Sequence, residues 1–197
     1  MRTPRDRWIE EGLRALAAGG PDAVRVEVLA KNLGVTKGGF YGSFTDRDAL
    51  LAAMLDSWER ESTDEVLHRI EREGGDPRTK IERAGVLTFS SGRLLPIDLA
   101  IRDWARRDEA VAERLRRVDN RRMGLLREMI GTFCADPDEV EARSLLAFCL
   151  AIGEHFLAAD HDNRSRAQVL TRAADLLLDR APPRPQLLTQ VPSSFPG

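Results

Sequence analysis

The sequence predicts an all-α protein of about nine helices. Apolar residues recur at a 3.6-residue period along almost the whole chain. No stretch shows the two-residue alternation of a strand, and Gly or Pro clusters interrupt the helical pattern at regular points.

Taken in order, Thr3-Pro4 reads as a cap followed by proline at the first helical position. Ile9, Gly12, Leu13, Leu16 and Ala17 then make one stripe, which Gly19-Gly20-Pro21 ends. A short second helix carries Val26, Leu29, Ala30 and Leu33 and stops at Gly34. The third covers about 36–44, with Phe40 and Phe44 one turn apart. Asp46 caps a long fourth helix that holds Leu50, Met54, Trp58, Val66 and Ile70 and breaks at Gly74-Gly75. Asp76-Pro77, Leu95-Pro96 and Asp136-Pro137 each place proline just inside a further helix start, and Asp136 with Glu139 fits a capping box. The last three helices are expected at about 109–133, 137–156 and 164–180. Half of the chain's ten prolines fall after Ala181, so residues 182–197 are expected to form an extended or disordered tail.

Composition narrows the function classes. The chain has 197 residues, enough for one domain or two small ones sharing a helical spine. Its 30 basic and 32 acidic side chains give a net charge of −2, so any DNA binding must come from a local patch. Cys134 and Cys149 lack close spacing and read as small apolar core thiols of a reducing compartment. The start, MRTPRDRW, lacks an apolar signal region. The longest apolar run, 145–153, is far shorter than the roughly 18 residues that would span a bilayer. A cytoplasmic protein without membrane contact is expected.

Residues 34–44 read GVTKGGFYGSF. A phosphate-binding P-loop needs GxxxxGK[ST] after a strand; here Lys37 precedes the paired glycines and a helix precedes the segment. A helix-turn-helix explains each residue instead. Gly34 supplies the left-handed conformation that ends a helix, Val35 seals the two helices, and Thr36 caps the next with its hydroxyl. The second helix of such a pair enters the major groove.

The first 50 or so residues resemble the DNA-binding domain of the TetR family of transcriptional regulators. The family pattern runs roughly A-x-x-x-G-V-[ST]-K-G-[TAS]-[LF]-Y-x-[HY]-F, then a cap, a Lys and an acidic residue. This chain supplies Ala30, Gly34, Val35, Thr36, Lys37, Gly38, Gly39, Phe40, Tyr41, Gly42, Ser43 and Phe44, with Asp46, Arg47 and Asp48 after them. A weaker likeness covers the stretch LAIRDWARRDEAVAERLRRVD, 99–119. The resemblance implies a DNA head over 1–46 and a body over 47–181 that binds a small molecule and forms a homodimer through the last two helices. It also implies that Lys37, Tyr41 and Arg47 contact the DNA backbone while the exposed face of the third helix reads bases. The partner would be a near-palindromic double-stranded operator, and the effect most often repression; activation, or a helical-bundle enzyme or binder with an incidental helix-turn-helix, is the alternative.

The departures from the pattern carry their own expectations. Gly39 replaces the usual small polar residue, and Gly42-Ser43 replace the bulkier pair before Phe44. The groove-facing surface is therefore nearly bare backbone at Gly38, Gly39 and Gly42, leaving Thr36, Lys37, Tyr41 and Ser43 to read, with a larger share from DNA shape. Before the second helix, Val24-Arg25 replaces the usual hydroxyl cap, which frees Arg25 to reach a phosphate. The arginine-rich segment 102–127 alternates with acids and reads as a salt-bridged solvated face. His155 and His161 lack metal-ligand spacing, and no nucleophile elbow is present, so neither a metal, a cofactor nor a catalytic residue is assigned. Phe89, Trp104, Met123 and Phe148 are the apolar candidates for an effector cavity.

Overall fold

The structure is a computed structural model that describes residues 4–89 and 92–178. The tail at 182–197 lies outside the described residues. Helix α1 (Arg5–Gly19), a 3-10 turn (Pro21–Ala23), α2 (Val26–Asn32) and α3 (Lys37–Tyr41) come first. Helix α4 (Arg47–Arg60) continues through a π turn (Glu61–Glu65) into α5 (Val66–Glu73), so one rod runs from the head deep into the body. The rest is α6 (Pro77–Phe89), α7 (Leu94–Ala105), α8 (Glu109–Gly131), α9 (Pro137–Gly153) and α10 (Arg166–Leu178). With α4 and α5 counted as one rod, nine helical rods and no strand stand among the described residues.

The punctuation acts largely as expected. Gly34 sits at φ 69° and ends the α2 turn. Asp46 Oδ1 accepts from the Ala49 N–H at 2.8 Å, and Asp108 caps α8 through the Ala110 and Val111 N–H groups. One expected cap is absent, and one expected capping box is only half made. Thr36 holds the N-cap position of α3, but its side chain makes no capping hydrogen bond. Asp136 accepts from the Asp138 N–H at 3.0 Å, whereas Glu139 turns to the Arg143 guanidinium at 2.7 Å instead of closing a box. An ion pair outcompetes the backbone donor there. Helix α3 is also shorter than expected: glycine lowers helix propensity, and beyond Tyr41 the chain continues as a turn in which the Phe44 N–H meets the Phe40 carbonyl at 3.0 Å.

One apolar core runs without a break from the head into the body. Trp8, Leu13, Leu29, Phe40, Leu50 and Met54 belong to it, and so do Trp58, Ile101, Val111 and Val118. Gly12 lets α1 lie close on α4, since a Cβ there would stand 2.5 Å from Met54 Sδ. A second cluster of Ile81, Ile130 and Leu178 joins α6, α8 and α10. Cys134 packs beside this second cluster, but Cys149 is exposed on α9, contrary to the expectation of a core thiol.

The arginine-rich segment departs from a simple solvated face. Arg114 pairs with Asp56 at 2.6 Å, Arg117 with Glu59 at 3.2 Å and Arg121 with Asp64 at 2.5 Å, so α8 is stitched to the acidic flank of α4 and the π turn. Arg102 and Arg122 turn inward. Asp98, 1% exposed, receives Arg102 Nε at 2.8 Å, Arg122 Nη2 at 2.9 Å and the indole N–H of Trp58 at 3.2 Å. Asp119 completes the group with two bonds from Arg102 at 2.7 and 2.8 Å. Burial pushes the Arg102 guanidinium down, but the hydrogen bond to Asp119 and the Asp98 charge outweigh it and hold the group above its ordinary value.

Removing Asp98 leaves two inward-turned guanidinium groups to share Asp119 alone. Asp98→Ala is expected to cost about 3–5 kcal/mol in urea unfolding. Trp58→Phe, which removes one neutral donor and leaves the charges matched, is expected to cost about 1 kcal/mol.

Candidate functional site

The head presents α3 on a scaffold of aromatic contacts. Phe40 is fully buried and meets Trp8 edge-on at 5.4 Å, while Phe44 stacks on Phe40 at 5.5 Å. These two anchors, one turn apart, hold a five-residue helix that would not persist alone. With Phe40 inward, the opposite face carries Thr36, Lys37, Gly38, Tyr41 and Gly42, all exposed, with Gly39 and Ser43 half-buried. Tyr41 is 56% exposed, its ring resting edge-on against Phe40. Gly38 and Gly39 have ordinary helical backbones, and a Cβ at Gly39 would meet nothing within 4 Å. The protein's own packing therefore does not require glycine at Gly39.

The basic side chains of this face are already engaged. Lys37 Nζ bonds Glu27 on α2; this bond holds the Glu27 carboxyl below its ordinary value and raises Lys37. Both groups are thus charged at neutral pH. Arg47 donates to the Val24 carbonyl at 2.8 Å and to the Pro21 carbonyl at 2.5 Å, so it clamps the 3-10 turn onto the start of α4. Arg25 is exposed at the N-cap of α2 and gives no side-chain cap. Glu27 is the residue that sequence reasoning passed over: nothing in its spacing marks it as the partner of a lysine ten positions on.

The body holds a cavity of about 240 Å³ between the π turn, α5, α6, α8 and α9. Val66, Ile70, Ile81, Leu125, Met129 and Phe148 supply apolar walls, and Ser62, Thr88 and Arg122 are the buried polar residues in its lining, with Arg122 beside Ser62. A groove of about 390 Å³ between α6, α9 and α10 shares Ile81, Gly85, Ala147 and Ala151 with it. Of the four residues expected to line a cavity, Phe148 does so, with Arg102 5.8 Å above its ring. Trp104 instead belongs to the core shared by head and body, and Met123 borders neither cavity. Phe89 ends α6, but its side chain lies outside the described ones. Sequence reasoning missed Ser62, because the π turn that faces it inward interrupts the helical period. Among the described residues no group of three or more His, Cys, Asp or Glu could hold a metal ion, and no helix is long and apolar enough to cross a membrane.

The comparisons with known proteins agree with this geometry. The family model described as "Bacterial regulatory proteins, tetR family" matches residues 9–54, which run from α1 into α4. No curated protein matches the chain. Among solved structures, a transcriptional regulator from Rhodococcus sp. Rha1 is 21% identical over 89% of this chain and 94% of its own, with a TM-score of 0.68. AibR, solved with isovaleryl coenzyme A and operator DNA, is 14% identical over 89% and 98%, with a TM-score of 0.62. FadR from Bacillus subtilis, solved with stearoyl-CoA, is 13% identical over 89% and 98%, also at 0.62. At these identities the solved structures show the shared fold, and the family model adds a likeness confined to α1–α4. Residues 9–54 are therefore similar to bacterial regulatory proteins of the tetR family, and the chain shares the fold of solved transcriptional regulators.

Proposed function

We propose that the protein is a homodimeric repressor, released from a near-palindromic operator when a small molecule occupies the body. The observation that carries this is the shared core: the helix that begins beside the DNA face, α4, is the same rod whose π turn and α5 wall the cavity. A ligand that prefers one position of that rod would shift the spacing of two heads. Coupling of this kind is usually about 1–3 kcal/mol. Acyl coenzyme A in the AibR and FadR structures, and operator DNA in the former, support small-molecule control on this fold.

In this reading residues 1–46 are the DNA head and 47–181 the ligand-binding and dimerising body, working in the cytoplasm. Arg25, Thr36, Lys37, Gly38, Gly39, Tyr41, Gly42, Ser43 and Arg47 form the DNA surface. Lys37 exchanges Glu27 for a phosphate, and the bare backbone of α3 approaches the groove closely. Arg47 acts first by fixing the start of α4 on the 3-10 turn. The dimer forms through α9 and α10, where Leu145, Leu146 and Leu176 are 52%, 53% and 62% exposed. Leucines this open on adjacent helices suit a four-helix seam between copies.

Selection from random duplex DNA at about 0.15 M salt is expected to return a near-palindrome. Enrichment of single, unpaired sites would count against the dimer. On the selected duplex, Lys37→Ala should weaken binding across sequences and reduce the salt slope by about 1. Glu27→Gln should tighten binding roughly two- to fivefold, because Lys37 then surrenders no partner.

Gly39→Ala separates backbone approach from mere flexibility. The substitution is expected to stabilise the fold by up to about 1 kcal/mol and yet weaken DNA binding. A stabilised protein with unchanged affinity would mean that α3 does not approach the groove at that residue. Leu145→Glu with Leu146→Glu is expected to yield monomers in sedimentation equilibrium and to lose palindrome binding while the helical signal in circular dichroism is kept.

A further inference from the structure

We infer that the cavity beside the π turn takes a compact, uncharged, apolar molecule carrying a single hydrogen-bonding group, seated on the Ser62 hydroxyl. This rests on the reading of the protein as a ligand-responsive regulator and names the class of ligand its body accepts. The size sets the first limit: about 240 Å³ lies below the roughly 300–1,000 Å³ that drug-sized ligands fill.

The polar lining sets the second. Ser62 is 1% exposed, lines the cavity, and its Oγ has no hydrogen-bond partner among the described residues. A buried hydroxyl in an apolar wall is costly until something meets it, and buried polar groups in folded proteins are nearly always met. Ser62 also lies within the π turn, a departure from α geometry that is frequent at functional sites. By contrast Thr63, its neighbour in the same turn, is satisfied locally through the Glu59 carbonyl at 2.7 Å.

Charge sets the third. Arg122 stands beside Ser62, but it is set against Asp98 at 2.9 Å and Asp119 at 3.5 Å, and Arg102 shares these two carboxylates. Two carboxylates against two guanidinium groups leave no net charge to draw in an anion. The remaining charged groups lining the cavity are Glu71, Glu128 and Lys80, which together are acidic. A carboxylate ligand would enter without compensation, whereas an alcohol, amide, ketone or ester can donate to or accept from Ser62 at no such cost.

The test uses the full chain and three ten-carbon probes of matched length: decanol, decanamide and decanoate, titrated calorimetrically at neutral pH. Decanol and decanamide should bind at least about tenfold more tightly than decanoate. Ser62→Ala should weaken both by about 3- to 10-fold, and Ser62→Thr, which keeps the hydroxyl, should retain the preference. Ala84→Phe, which fills the cavity from α6, should abolish binding of all three. Decanoate binding as tightly as decanol, indifference to Ser62→Ala, or binding that survives Ala84→Phe would each overturn the inference. Selection of duplex DNA is run in parallel. Specific DNA binding with no uptake of any probe would overturn the ligand class alone. Uptake of decanol and decanamide with no specific DNA binding would overturn the regulator reading alone.

Discussion

Asp98 is the constraint around which the other parts are arranged. A carboxylate at 1% exposure is tolerable only if its charge is met inside the protein, and here it is met from three helices. Trp58 comes from α4, Arg102 from α7 itself and Arg122 from α8. Each of these helices has another duty. Helix α4 follows directly on the α3 segment, α7 packs on α1, and α8 walls the cavity. A shift of any one that broke these bonds would leave a buried charge unmatched. Small adjustments must therefore be shared among them, as a mechanical link between cavity and head requires. Arg93 adds a second tie near the surface, holding Glu10 of α1 at 2.5 Å and also Glu61 of the π turn.

The same economy of charge governs the head. A protein of net charge −2 attracts DNA only where its basic groups are exposed and free to exchange partners. Lys37 has its counter-charge in Glu27, and Arg47 has two carbonyls. In the proposed DNA complex, binding is then an exchange of partners, in which released counterions favour the complex and the lost internal pairs oppose it. Under that proposal, discrimination rests on shape and close backbone approach more than on a strong electrostatic field. Three glycines in and beside a short helix fit such a surface.

The helical architecture and the head were legible because their causes are local. Gly34 must take a positive φ to turn between α2 and α3, and Phe40 and Phe44 must fall on one face at their spacing. Asp46 announces α4 three residues ahead of the N–H it accepts from. What stayed hidden depends on residues far apart in the chain. Arg114 meets Asp56 across 58 positions, so a segment that alternates in sign looked self-paired when its partners lay on α4. Trp104 read as well as a cavity residue as it does in the core, since periodicity gives a face and not what lies opposite it. The π turn erased the phase of the rod, and Ser62 was hidden with it.

That loss of phase also bears on how the rod behaves. An α-helix transmits a push along its axis because every turn repeats the same bond, and a π turn interrupts the repeat with wider, less regular bonding. Here the interruption falls where α4 leaves the core shared with the head and α5 begins to line the cavity. On the head side the rod is fixed by Leu50, Met54 and Trp58, all fully buried. On the cavity side Val66 and Ile70 face a space that a molecule can enter. The turn therefore separates a half packed in the shared core from a half that walls the cavity. Arg122 donates to the Ser62 carbonyl at 3.5 Å, so the turn touches the Asp98 cluster directly. A change in bonding at Ser62 thus acts beside Arg122, which also holds Asp98.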